Sequence, residues 1–256
     1  MGVELSHRGV NSVLNMTDLG PKTEGLTTFF QPILDLEEWK VCGVEALARL
    51  EDGGSAYPLI AQAQQDGWYD ELELPLLEMA MRESESLPAD LFCTLNISGT
   101  SVFSDRLEEC LRAHTERRWG LEILENSERV WEIESFRQRI KELGCLLLID
   151  DAGDGNSDEV RIRYMLPSIV KLDRLLLIRA QHSDTDRMRL ESLISEARNS
   201  GAFLLAEGVE TSCQLDFALE LGCEYAQGFY FSEAVAAHNI PAKIQELEDR
   251  LWMDAQ

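Results

Sequence analysis

An acidic or amide residue sits at or near the end of nearly every short apolar run in this chain. Glu45 lies in VCGVEAL, Asn96 closes LFCTLN, Glu122 sits in GLEIL, and Asp150 with Asp151 closes CLLLIDD. Asp173 follows IVKL, Glu207 follows FLLA, and Gln227 follows EYA. Apolar runs of about four to eight residues bounded by turn signals read as buried parallel strands. Strands that repeatedly end in oxygen ligands describe a barrel with its functional groups gathered on one face. The pattern predicts a metal-dependent enzyme.

The 256 residues suit one (β/α)8 barrel and would also accommodate two smaller domains. Residues 1–24 are polar and contain Gly20-Pro21, which reads as a tail; residues 25–256 show no composition break and read as one barrel domain. TFFQPILDL and VCGVEALARL are strands separated only by EEW, too short a link for a parallel crossover, so the fold opens on an antiparallel hairpin. Beyond it, ELELPLLEMAMRE, SDRLEECLRAH, SERVWEIESFRQRIKELG, DTDRMRLESLISEARNSG, TSCQLDFALELG and PAKIQELEDRLW read as helices. LFCTLN, LEIL, CLLLID, IVKLD and AFLLAE read as strands, and EYAQGFYF as strand or loop. Ser127 and Thr211 are N-cap candidates, and Gly144 lies beyond a helix C-terminus.

Charge and composition exclude several classes. The formal charge of −24 argues against a nucleic-acid polymer or an anionic membrane as partner. Much of that acidity reads as solvated helix faces such as EEWK, DELELP and RESES. The N-terminus lacks an apolar signal core, and the six cysteines form no CxxC pair, which together point to a reducing cytoplasm. The four histidines show no HxxxH or HxH spacing, so a metal site here would be oxygen-rich, suited to Mg2+, Mn2+ or Ca2+.

The sharpest local signal is Asp150-Asp151. Two adjacent carboxylates at a barrel mouth repel strongly unless cations neutralise them; the alternative is a helix N-cap and a solvated turn. Lys171 and Asp173 share a strand face by alternation, and Lys171 either serves the mouth or snorkels from a strand end. Glu45 and Arg49 sit four apart in one strand, where a salt bridge is the plain alternative. Asn96 alone would be an ordinary strand-end turn residue. Gly208 lets the chain turn after Glu207, and Glu210 reads as a cap of the following helix. Taken together, Glu45, Glu122, Asp150, Asp151, Asp173 and Glu207 could not all stay ionised at one mouth without cations. Two divalent ions, helped by Lys171 and Arg49, would bring the cluster close to neutral and would suit phosphodiester hydrolysis.

The strings themselves resemble those of EAL-domain cyclic-di-GMP phosphodiesterases over about residues 28–240. GVEALAR carries Glu45-Ala46-Leu47; FFQPILDL is similar to YQPIVDL, TLNIS to VNIS, and LEILENS to LEITES. LLIDDAGDG resembles ALDDFGTG, VKLDRLLL resembles LKIDRSFV, LLAEGVET resembles VVAEGVET, and AQGFYFS resembles GQGYLFS. The resemblance implies a TIM-like (β/α)8 barrel with an irregular antiparallel first strand. It implies hydrolysis of cyclic di-GMP to linear pGpG with two Mg2+ or Mn2+ ions, Ca2+ being a candidate inhibitor. By position it implies Glu45, Asn96, Glu122, Asp150, Asp151, Asp173 and Glu207 as metal-site residues. Lys171, Glu207 and Glu45 become catalytic, and Gln31, Leu47, Arg49 and Gln227 substrate contacts. Glu125 becomes a carboxylate that holds the loop after Asp151. The resemblance also implies a homodimer; the sequence shows no sensor-type segment beside the barrel, so regulation is expected through the tail, the altered loop, oligomerisation or a separate protein partner.

The chain departs from the family strings in three places. The loop after the aspartate pair reads AGDGNSDEV for FGTGYSSL, the EDGGSAYPLIAQAQQDGW stretch is poorly matched, and SEAVAA stands for SKPLPA. In the family that loop couples metal binding to dimerisation. The alternative function is therefore a degenerate EAL domain that binds cyclic di-GMP or a protein partner without turnover.

Overall fold

The computed structural model describes residues 23–123, 133–153 and 158–254. Its strands are β1 Leu26–Asp35, β2 Lys40–Leu50, β3 Phe92–Ile97, β4 Trp119–Ile123, β5 Leu146–Ala152, β6 Ile169–Leu172, β7 Phe203–Ala206, β8 Tyr225–Ala226 and the short β9 Val235–Ala236. The helices are α1 Tyr57–Asp66, α2 Tyr69–Ser84, α3 Asp105–Ala113, α4 Ile133–Leu143, α5 Asp158–Met165, α6 Arg174–Ala180, α7 Asp184–Ser200, α8 Ser212–Glu220 and α9 Ile240–Asp254. Strands β2 to β8 pair in parallel in sequence order. β1 closes the ring, pairing antiparallel with both β2 and β8. This is the TIM-like barrel with a reversed first strand that the sequence predicts.

The reversal follows from the short link. Asp35 Oδ1 accepts the backbone N–H groups of Glu37 and Glu38 at 2.9 Å each, an Asx turn that sends the chain straight back into β2. Three helices escape the sequence reading. α1 lies inside the poorly matched stretch, marked by a proline in its first turn and by Gly67 at φ 76° after its end. α5 has no apolar stripe to reveal it, and α6 continues the apolar run of β6 so closely that no break shows. Thr211 does cap α8, in a reciprocal capping box with Gln214. Ser127 and the tail through residue 22 lie outside the described residues. Among the described residues, no helix is long and apolar enough to cross a membrane.

The barrel interior is built in layers. Ile33, Phe92, Leu148, Ile169 and Leu205 form a buried cluster, with Tyr225 packed against it. Each stands two residues from a polar or charged one on the same strand or just past its end: Gln31, Thr94, Asp150 and Lys171 on their strands, Glu207 and Gln227 immediately after β7 and β8. Side-chain alternation therefore sets a polar layer directly on an apolar plug. On β2 and β4 the plug position is glycine, below Glu45 and Glu122. A Cβ on Gly43 would lie 2.5 Å from the Phe92 ring, and one on Gly120 would lie 2.7 Å from Leu148. The two glycines make room for the large side chains of neighbouring strands. Gly43→Val is expected to cost about 1–3 kcal/mol through overpacking, read as a lower urea midpoint with unchanged m-value.

Candidate functional site

The polar layer centres on Lys171, which is 1% exposed. Its ammonium lies 2.5 Å from Glu122 Oε2, 2.7 Å from Asp150 Oδ1, 2.9 Å from Glu207 Oε1 and 3.7 Å from Glu45 Oε1. Burial alone would lower the lysine's affinity for its proton. The charges of Asp150, Glu122, Glu207 and Glu45 outweigh it and hold the group well above its ordinary range. The strand-end snorkel is excluded: Lys171 serves the mouth.

Around this ammonium, Glu45 is fixed from two sides, accepting Asn96 Nδ2 at 3.1 Å and Gln227 Nε2 at 2.6 Å. Gln227 also donates to Gln31 Oε1 at 3.0 Å, and Gln31 donates to the Ser232 carbonyl at 3.0 Å. These contacts tie β1, β2, β3 and β8 together at one level.

Asp150 and Asp151 should face opposite ways by strand alternation. They do not, because β5 bulges. Its pairing with β6 passes from Ile149↔Val170 to Ala152↔Leu172, leaving two residues of β5 opposite Lys171 alone. Asp151 takes φ 49°, a left-handed conformation unusual outside glycine and often found at functional sites. As a result, carboxylate oxygens of Asp150, Asp151 and Glu207 lie within 4.8 Å of one another.

The remaining residues fall in several places. Leu47 and Arg49 lie on the Glu45 face of β2 and line a cavity of about 320 Å3 that Asn96 also borders. Arg49 makes no salt bridge with Glu45: its guanidinium donates to the Ala48 carbonyl at 2.9 Å, and burial lowers its proton affinity. Asp173 is N-cap of α6, its Oδ1 accepting Leu176 N–H at 2.8 Å. The Glu210 carboxylate goes to Arg174 at 2.7 Å rather than to the helix that follows. Glu125 lies outside the described residues.

One acidic residue read as solvated is not. Glu73, in the DELELP stretch, is 1% exposed and accepts both Ser98 N–H and Ser98 Oγ at 2.7 Å, together with Ser101 Oγ. It pins α2 to the segment just after Asn96. The signal was its position among apolar neighbours on the inner face of the helix.

The donor set fits divalent cations. Every side-chain donor that converges here is oxygen or amide: the carboxylates of Glu45, Glu122, Asp150 and Glu207 face one ammonium, and that of Asp151 lies beside those of Asp150 and Glu207. Buried Glu122 Oε1 accepts no hydrogen bond. Burial, reinforced by the Glu45 charge and opposed by Lys171, pushes the Glu122 carboxyl up to about 8. Burial likewise holds Glu207 well above its usual range. Both shifts come first from burial, with the neighbouring carboxylates adding to it and Lys171 opposing it.

The EAL domain family model matches residues 16–234. The chain belongs to the EAL-domain family. This EAL domain is 29% identical over 227 residues to the cyclic di-GMP phosphodiesterase NbdA of Pseudomonas aeruginosa, with 82% of the chain and 29% of the relative covered. It spans about a third to a half of the length of the curated relatives it matches. Its fold superposes on the PaMucR phosphodiesterase c-di-GMP complex with a TM-score of 0.74 at 24% identity, covering 85% and 94% of the two chains. For the manganese/cy-diGMP complex of BlrP1 from Klebsiella pneumoniae the TM-score is 0.73 at 24% identity, covering 82% and 56%.

Two outcomes follow for the metal-free chain. Lys171→Met leaves the carboxylates without their ammonium and is expected to lower stability at neutral pH by about 3–5 kcal/mol, measured by urea unfolding in chelator. For pH, an unfolded glutamate titrates near 4.5 and folded Glu122 near about 8, so the folded state binds more protons between those values. Its stability therefore falls as pH rises through that window. The thermal midpoint in chelator is expected to drop from about pH 5 to about pH 8, and added Mn2+ to raise it most at the upper end.

Proposed function

We propose that this EAL domain hydrolyses cyclic di-GMP to linear pGpG with the help of two Mg2+ or Mn2+ ions. The observation that carries the reading is the convergence of Asp150, Asp151 and Glu207 oxygens beside the buried Lys171 ammonium. The names of its relatives supply the substrate class. Glu45, Asn96, Glu122, Asp150, Asp151, Asp173 and Glu207 are the residues that would hold the cations. When bound, the ions supply Lewis acidity to the phosphodiester oxygens and to water.

The chain's own groups do the rest. Water oxygen bonds to phosphorus as one P–O bond of the ring opens, and the departing ribose oxygen ends as a hydroxyl. Glu207, whose burial raises its proton affinity, accepts the water proton, and an equivalent proton finishes on that hydroxyl. Lys171 holds the water and the carboxylates in register. Gln31 and Gln227, already bonded to each other, position one part of the dinucleotide, while Leu47 packs against it and Arg49 meets a phosphate.

Purified protein incubated with cyclic di-GMP and Mg2+ or Mn2+ is expected to release pGpG, resolved by ion-pair chromatography. Glu45→Ala and Lys171→Met are each expected to reduce the rate at least about 100-fold. Cyclic di-GMP binding without pGpG would sink the hydrolase reading and leave a receptor. The altered AGDGNSDEV segment is the observation that keeps that second reading in view.

A further inference from the structure

The altered segment contains a residue that the reaction itself does not use. Asp158 opens α5 and is 1% exposed. Its Oδ2 accepts the backbone N–H of Gly153 at 2.8 Å. Arg161 Nη1 lies 3.7 Å from its Oδ1, and Arg189 Nη2, from α7, lies 3.9 Å from its Oδ2. Arg161 also reaches across to β4, donating through Nη2 to the Ile123 carbonyl at 3.1 Å. A carboxylate this deeply buried is costly unless paired, and here its partners lead to two strand ends. Gly153 follows the bulged Asp150-Asp151 pair by two residues, and Ile123 follows Glu122 by one.

The Gly153 end needs holding. Asp151 is left-handed at φ 49° and Gly153 sits at φ 118°, where a Cβ would meet Leu176 at 2.3 Å. Both conformations are sparsely populated and persist only where the surroundings impose them. The contact with Asp158 is the hydrogen bond that fixes the Gly153 N–H. The family string has serine where Asp158 stands, and serine could accept that N–H but could not pair with Arg161 and Arg189.

We propose that Asp158, tied to Arg161 and Arg189, is a positioning residue that holds the ends of β4 and β5 at the spacing at which Glu122, Asp150 and Asp151 take a divalent cation. The role rests on the metal reading of the mouth. It gives the AGDGNSDEV segment its own means of fixing the aspartate pair.

The test is a titration of Mn2+ alone into metal-free protein, with free Mn2+ followed by electron paramagnetic resonance and the fold by circular dichroism and thermal midpoint. Asp158→Ala is expected to raise the half-saturating Mn2+ concentration about 10–100-fold, the range for residues that orient metal ligands. Asp158→Asn keeps an acceptor for the Gly153 N–H and is expected to recover much of the loss. Arg189→Gln, on the half-buried outer side, is expected to shift the midpoint less and in the same direction, and serves if Asp158→Ala does not fold. In hydrolysis, the deficit of the Asp158 variants is expected to shrink as Mn2+ is raised. Unchanged Mn2+ half-saturation with only a lowered thermal midpoint makes Asp158 a scaffold residue and overturns the proposal. Wild-type protein that takes up no Mn2+ overturns the metal reading, and the positioning role with it.

Discussion

Everything at the mouth of this barrel depends on one ammonium among several carboxylates. Lys171 could not stay charged where it is without Glu122, Asp150 and Glu207 within 3 Å, and these carboxylates could not crowd together without a cation. Neither half of the arrangement is stable alone. Strands β2, β4 and β5 and the residue just past β7 each contribute one carboxylate to the ammonium, so the mutual spacing of these strand ends is set electrostatically as well as by backbone pairing. A single positive charge against the four carboxylates around it, with Asp151 close to two of them, remains a deficit. That deficit makes the site receptive to divalent cations.

The plug beneath is the other half of the same device. Ile33, Phe92, Leu148, Ile169 and Leu205 exclude water from below, which strengthens each charge pair above them. Gly43 and Gly120 are glycines because Phe92 and Leu148 occupy the space their side chains would need. The layer that binds and the layer that packs are thus written into the same strands, two residues apart.

Much of this is legible in the sequence alone. Strand-end oxygen ligands, the EEW link and the ordered motifs led to the barrel, its reversed first strand and the family. What stayed hidden depends on backbone departures that alternation does not encode. The bulge in β5 turns Asp150 and Asp151 to one side, and no periodicity in CLLLIDD announces it. Glu73 looked like part of a solvated acidic face because its serine partners lie some 25 residues away in sequence, after β3. Asp158 was hidden for a different reason: charge in a short helix such as α5 ordinarily faces water, although its partner Arg161 is only three residues away. α1 carries a first-turn proline and a glycine just past its end, in a stretch that matches the family strings poorly.

The reversed β1 has a consequence for how the site comes into being. Because that strand closes the ring between β8 and β2, Gln31 meets Gln227 across 196 residues of chain, and Glu45 meets the same glutamine across 182. No contiguous fragment shorter than the whole ring brings these groups together. The Gln227 contact that fixes Glu45 from one side is among the most distant in sequence, so it carries a large loop-closure entropy and forms only once both ends of the barrel have docked. Competence to bind at the mouth is therefore a report on completed folding.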